Sequence, residues 1–117
     1  MQDFKKLAVW EKSNTLTVEV YRITSLFPKE EVYGLTSQIR RASVSIPSNI
    51  AEGCGRDGNA ELSHFLHISL GSAKELEYQV LLANELKYLN DSNYENLNNR
   101  VVEVRRMLIA LIKKLKA

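Results

Sequence analysis

Glu61, His64 and His67 stand at successive intervals of three, a spacing that places a carboxylate and two imidazoles on neighbouring positions of a helix. A Glu-x-x-His pair is half of a di-iron site in a helical bundle. The carboxylate-bridged metal pair also needs a second such helix and two further inward glutamates. No other Glu-x-x-His occurs, so no metal is expected and the histidines read as partly exposed groups on a helix flank. Cys54 lies in Gly53-Cys54-Gly55 beside Glu52 and Arg56, and the arginine could lower its pKa. A nucleophile needs a base and an orienting third group, and no histidine is near it in sequence, so Cys54 is expected to be a solvated or lightly buried loop thiol. Gly53, Gly55 and Gly58 follow a helix and lack a Gly-Lys-Ser/Thr ending, so they mark a helix exit and not a phosphate-cradling loop. Glu75 and Glu77, two apart on a helix, point to different faces and cannot cooperate as an acid and base pair. No catalytic or cofactor-binding residue is assigned, and the expected class is non-enzymatic.

The remaining chemistry is cationic. The net charge is only +2, but residues 59–97 carry Lys74 and Lys87 against six acids, whereas residues 98–117 carry six bases against Glu103 alone. Arg100, Arg105, Arg106, Lys113, Lys114 and Lys116 surround an apolar stripe, and Arg40 and Arg41 sit together earlier in the chain. Aligned along one ridge, such bases would neutralise phosphates and release counterions, giving nucleic-acid binding without strong base specificity. The plainer reading is a solvated face whose bases complement the C-terminal dipole of a helix. Phe4, Trp10, Tyr21, Tyr33, Tyr78, Tyr88 and Tyr94 fall mostly within helical segments and are expected to be packing groups, which disfavours single-strand recognition by stacking.

Apolar periodicity defines the elements that carry these residues. Val9, Leu16, Val20, Ile23 and Phe27 predict a helix over about residues 4–27, ended by Pro28. Val32, Leu35, Ile39, Ala42, Ile46, Asn49 and Gly53 predict a second over about 30–53, with Glu30 and Glu31 at its positive end. Pro47 lies inside it and deprives the Ser43 carbonyl of its partner, so a kink is expected, with Ser43, Ser45 and Ser48 helping to satisfy the freed backbone. A third helix, about 59–89 with Asn59 as N-cap, carries Leu62, Leu66, Ala73, Leu76, Val80 and Ala83. A second stripe beside it, Phe65, Ile68, Leu82, Leu86 and Leu89, is wider than two neighbours need and makes oligomerisation an expectation. The fourth, about 93–115, opens with a Ser92/Glu95 capping box and runs through Tyr94, Leu97, Val101, Val104, Leu108, Leu111 and Leu115 at a heptad period. Short connections give an all-α, antiparallel, up-down-up-down four-helix bundle, one domain over residues 1–117. With one cysteine and no secretory or membrane-spanning stretch, a reducing cytoplasm is the expected location.

The segment from Gly34 through Arg40, Arg41, Ser45, Pro47, Asn49 and Glu52 to Gly53, the later Gly71-Ser72-Ala73-Lys74-Glu75-Leu76-Glu77 and the opening Phe4-Lys-Lys-Leu-Ala-Val-Trp10 resemble the bacterial four-helix-bundle proteins named after intervening sequences in 23S ribosomal RNA genes. The likeness spans nearly the whole chain. It implies a ring of five subunits and, through similarity to the accessory variability proteins of diversity-generating retroelements, a nucleic-acid ligand and a reverse transcriptase as protein partner. Those accessory proteins are more basic than this chain. The shared motif also has a structural explanation: Gly71, Ser72 and Ala73 offer a small-residue surface to a neighbouring helix, and Asn49 and Glu52 with Arg40 or Arg41 form a polar network at a helix or subunit junction. A protein-interaction scaffold with no nucleic-acid role is the competing expectation.

Overall fold

The computed structural model describes residues 2–116, and these form four α-helices with no strand. The helices are α1 (Ala8–Thr24), α2 (Leu35–Cys54), α3 (Asn59–Glu85) and α4 (Asp91–Lys116), with 3-10 turns at Phe4–Lys6 and Lys29–Glu31. Each helix packs on its neighbour in sequence, and α1 also packs on α4, which closes the bundle. The long dimension is 43 Å, close to the roughly 40 Å that the 27 residues of α3 span at 1.5 Å each.

The buried stripes follow the predicted register in α1 and α3 and depart from it late in α2 and α4; Val32, expected to open the α2 stripe, lies ahead of the helix and is exposed. Val9, Leu16, Val20, Ile23 and Phe27 are buried, as are Leu62, Leu66, Ala73, Leu76, Val80 and Ala83. In α2 the seam passes through Ile50 and leaves Asn49 half-exposed; in α4 it passes through Ile112, with Leu111 and Leu115 half-buried. Both departures replace a step of three by a step of four. A straight helix at 3.6 residues per turn drifts about 20° per heptad, so a strict heptad cannot stay inward for three repeats without supercoiling.

The helix ends differ from the sequence reading for local reasons. α1 stops at Thr24, where the amides of Leu26 and Phe27 turn back to Ile23 and Thr24 (3.1 and 3.0 Å), a tight closure before Pro28 that folds Phe27 inward. At the start of α2 the Glu31 carboxylate accepts from the Leu35 amide at 3.0 Å and from the Tyr88 hydroxyl at 2.8 Å. One side chain thereby caps α2 and ties the α1–α2 connection to the α3–α4 connection. The Leu35 amide, then Tyr88, hold the Glu31 pKa below the usual carboxylate value, and Glu31 in turn raises that of Tyr88. Asn59 is not the cap of α3; it is the first helical residue, preceded by Gly58 at φ 85°, a backbone that glycine adopts freely. α3 ends at Glu85, four residues early, where the amides of Lys87 and Tyr88 bond Asn84 O (3.0 Å) and Ala83 O (2.9 Å). These are the paired bonds of a Schellman ending, with Lys87 at φ 66° where glycine is usual. At the start of α4 the Asn90 side chain, not Ser92, accepts from the backbone, taking the Asn93 amide at 2.7 Å.

α2 runs through Pro47 without a break. The carbonyl that Pro47 cannot serve, on Ser43, lies 2.9 Å from Thr17 Oγ1 of α1. From the other side, Ser69 of α3 donates to Ile46 O at 2.9 Å, and Ser45 and Ser72 share a 2.8 Å hydrogen bond. α1 therefore repairs the proline site, while the α3 contact falls on Ile46 O, a carbonyl whose own helical partner Pro47 leaves in place. Ser43 instead bonds Arg40 O at 2.8 Å.

Candidate nucleic-acid interface

Arg40, Arg41, Arg100, Arg105, Arg106, Lys113 and Lys114 do not share one ridge. Arg40, near the start of α2, donates to Thr24 Oγ1 at 2.9 Å and Tyr21 O at 3.3 Å, and its guanidinium lies 4.6 Å from the Tyr21 ring centroid. It caps the C-terminal end of α1, where the helix dipole favours a cation. Arg105 donates to Glu77 Oε1 at 2.8 Å, a partly shielded ion pair that pins α4 to α3. Arg100 donates to Asn96 Oδ1 at 2.7 Å. It also adds to the lowering of the Glu19 pKa, which is led by the 2.7 Å bond from Arg22. These three cations are engaged by their own chain.

Arg41, Arg106, Lys113 and Lys114 are exposed, and no carboxylate side chain among the described residues lies within ion-pair distance of them. Arg106 lines a shallow cleft of about 500 Å³ with Asn99 and Val102. Arg106 and Lys113 are two turns apart on α4, and Lys114 and Lys116 follow at the same end. Arg41 is on α2, diagonally across the bundle from α4, because α4 contacts α1 and α3 only. It lines a polar groove between α2 and α3 instead.

The expected polar network is smaller than the sequence suggested. Asn49 Nδ2 donates to Ser45 O at 2.8 Å and Ser45 Oγ at 3.0 Å, which joins Asn49, Ser45 and Ser72 at the α2–α3 junction. Glu52 lies outside it, paired with Arg56 at 2.9 Å on the surface, and neither Arg40 nor Arg41 takes part. Close helix approach occurs at Gly53, where an added Cβ would sit 2.9 Å from Phe65 Cβ. Gly71 is exposed and an added Cβ would meet nothing within 4 Å, so it makes no close contact inside this chain.

Cys54 is buried, not solvated, and burial pushes its pKa up; Arg56, bound to Glu52, does not lower it. Glu61, His64 and His67 are exposed. Among the described residues, no three His, Cys, Asp or Glu side chains converge as a metal site. The aromatic expectation fails in part. Trp10 and Phe4 pack edge-to-face at 5.0 Å, and Tyr88 tilts against Phe27 at 5.5 Å, but Tyr33 is 96% exposed and Tyr78 61%. No sequence signal separated them, since Tyr33 adjoins an apolar register that the chain leaves before α2 begins.

A family model described as 23S rRNA-intervening sequence protein matches residues 5–110. The chain belongs to the 23S rRNA-intervening sequence protein family. It is also similar to a crystal structure from Bacteroides thetaiotaomicron, described as a protein of unknown function from the S23 ribosomal protein family. The two are 30% identical, with a TM-score of 0.84, over 91% of this chain and 99% of that one. No curated protein matches the chain. The family span includes Ser45, Gly53, Ser72, Arg41 and Arg106, and ends before Lys113 and Lys114. The cations at the end of α4 thus lie beyond the part of the chain that defines membership.

Proposed function

We propose that this protein is a non-enzymatic, cytoplasmic, self-associating bundle that holds RNA or DNA by its phosphates. The observation that carries the reading is the division among its cations: Arg40, Arg100 and Arg105 are spent on internal partners, while Arg106, Lys113 and Lys114 stay exposed along the C-terminal half of α4. Long-stemmed cations on a rigid helix suit phosphate binding, which needs charge more than fixed geometry. Self-association, as a homopentamer in the form the resemblance implies, is supported by Ile68, Tyr78, Leu81 and Leu86, apolar side chains of α3 and its end that the single chain leaves exposed. Membrane insertion is not part of the reading: no helix among the described residues is long and apolar enough to cross a bilayer.

Filter binding of structured RNA at two salt concentrations tests the reading. Three phosphate contacts per chain give a log–log salt slope of about −2 to −3. Reversing Arg106 and Lys113 together lowers its magnitude by about 2 and weakens all sequences alike. Absence of retention at low salt refutes it.

A scaffold role is the second reading, favoured by a cleft of about 310 Å³ in which Tyr78, Leu81 and Tyr94 meet. A reverse transcriptase is the protein partner the resemblance offers. A stoichiometric protein partner that survives nuclease treatment, with no salt-sensitive RNA retention, would select it.

A further inference from the structure

The α2–α3 groove contains a combination of groups that the α4 cations do not need. It is a cavity of about 470 Å³, within the ~300–1,000 Å³ range of small-molecule sites, and Tyr33, Gln38, Arg41, Ser45, Ser72 and Glu75 line it. Gln38, Arg41 and Ser45 fall on one face of α2 at intervals of three and four; Ser72 and Glu75 face them from α3. One end is closed by the Ser45–Ser72 hydrogen bond and locked by Asn49. At the other end stands Tyr33, 96% exposed just ahead of the glycine that precedes α2.

We propose that this groove is a subsite for one unpaired nucleotide of an RNA or DNA strand. The free face of Tyr33 stacks on the base, the Arg41 guanidinium holds the adjoining phosphate, and Gln38 and Glu75 meet the base edge. The assignment deepens the phosphate-binding reading and rests on it for the rest of the strand. Each group is available for its part. The side chains of Arg41 and Gln38 have no hydrogen-bond partner among the described residues, and Glu75 accepts from Gln79 Nε2 at 3.2 Å through Oε2, leaving Oε1 free. An apolar helix seated here would strip water from Arg41 and Glu75 without replacing it, whereas a nucleotide supplies a π face, an anion and polar edges together.

Two preferences follow. Strands with unpaired bases bind better than duplexes with the same number of phosphates, because a paired base cannot present its face to Tyr33. Bases with an exocyclic amino group bind better than uracil or thymine, because the Glu75 carboxylate only accepts and the one edge donor of those two bases, N3–H, stands between two carbonyls that repel the carboxylate.

The test is fluorescence anisotropy with a labelled adenine-rich single strand and a duplex of equal phosphate number. The proteins are wild type, Tyr33→Ala, Tyr33→Phe and Lys113→Glu/Lys114→Glu, each checked for helicity and assembly size. Tyr33→Ala should weaken single-strand binding about fivefold to a hundredfold and leave the duplex unchanged, Tyr33→Phe should restore it, and the lysine reversal should weaken both ligands. Equal single-strand affinity for wild type and Tyr33→Ala, with the lysine reversal still weakening both, overturns the subsite and leaves the cationic reading standing. A change of assembly size in Tyr33→Ala overturns it in favour of an interface between copies. If wild type holds neither polymer, the cationic reading falls, and adenosine monophosphate decides the subsite alone: amide shifts at Tyr33, Gln38 and Arg41 in an NMR titration sustain it, and their absence at millimolar nucleotide overturns it.

Discussion

Removing the Thr17 hydroxyl should destabilise the bundle only as long as Pro47 is present. Pro47 leaves the Ser43 carbonyl without its helical amide, Ser43 is fully buried, and Thr17 Oγ1 at 2.9 Å is the group that serves that carbonyl. Thr17 also lies 3.0 Å from Ser13 O, but that carbonyl sits within the regular ladder of α1, so loss of the second contact costs little. Thr17→Val keeps the branched shape, and the carbonyl it abandons is left to desolvation costing about 1–3 kcal/mol. For a domain of 117 residues, 1 kcal/mol shifts the midpoint by about 4 °C, so a fall of about 4–12 °C is expected. Pro47→Ala returns an amide to Ser43 O, and in that background the same Thr17→Val change should cost under about 0.5 kcal/mol. Urea melts of the four proteins give the coupling energy, with m unchanged as the check on two-state behaviour. Equal costs in both backgrounds would refute the assignment of Thr17 to the proline carbonyl.

The two helical glycines should respond in opposite directions. Gly53→Ala drives a methyl into Phe65 Cβ and should lower stability by about 1–3 kcal/mol, while Gly71→Ala enters open space and should raise it by about 1 kcal/mol in thermal melts; a loss at Gly71 would place it against another copy. Lys87→Gly should stabilise by about 1 kcal/mol, since a lysine holds the left-handed position that ends α3; a neutral or negative result would show that the lysine side chain offsets the strain. The Glu31 carboxylate titrates below its ordinary value in the folded chain, so its stabilisation is present above that value and is lost as pH falls through the depressed one. Acid melts of Glu31→Gln should lack this component, and an unchanged acid profile would refute the cap. Tyr88 is raised, so its bond to Glu31 is fully present below the usual tyrosine pKa and is lost as pH climbs through the higher one.

Much of the fold was legible because burial imposes periodicity. The seams of α1 and α3 could be read position by position, and the short connections left no other order of packing. The register slipped late in α2, where strict spacing put Asn49 on the seam although the apolar residue is its neighbour Ile50, and late in α4, where Leu111 and Ile112 are equally apolar and only the neighbouring helices choose between them. The helix ends were misread wherever the capping group was unconventional: a carboxylate four residues from the amide it holds at Glu31, a lysine in a glycine conformation at Lys87.

The candidate surface divides along the same line. Residue types and spacing by themselves determined four amphipathic helices, the proline defect in the second, and an excess of cations near the C-terminus, because each is a property of consecutive residues. Only the tertiary structure decided that Thr17 repairs the proline site, that Arg40 and Arg105 are consumed by Thr24 and Glu77, that Arg41 lies across the bundle from Arg106, and that Tyr33 stands free. The physical reason is that a charge or hydroxyl is committed by whatever lies within about 3 Å of it. In a bundle that neighbour comes from another helix, at a sequence distance no local pattern encodes.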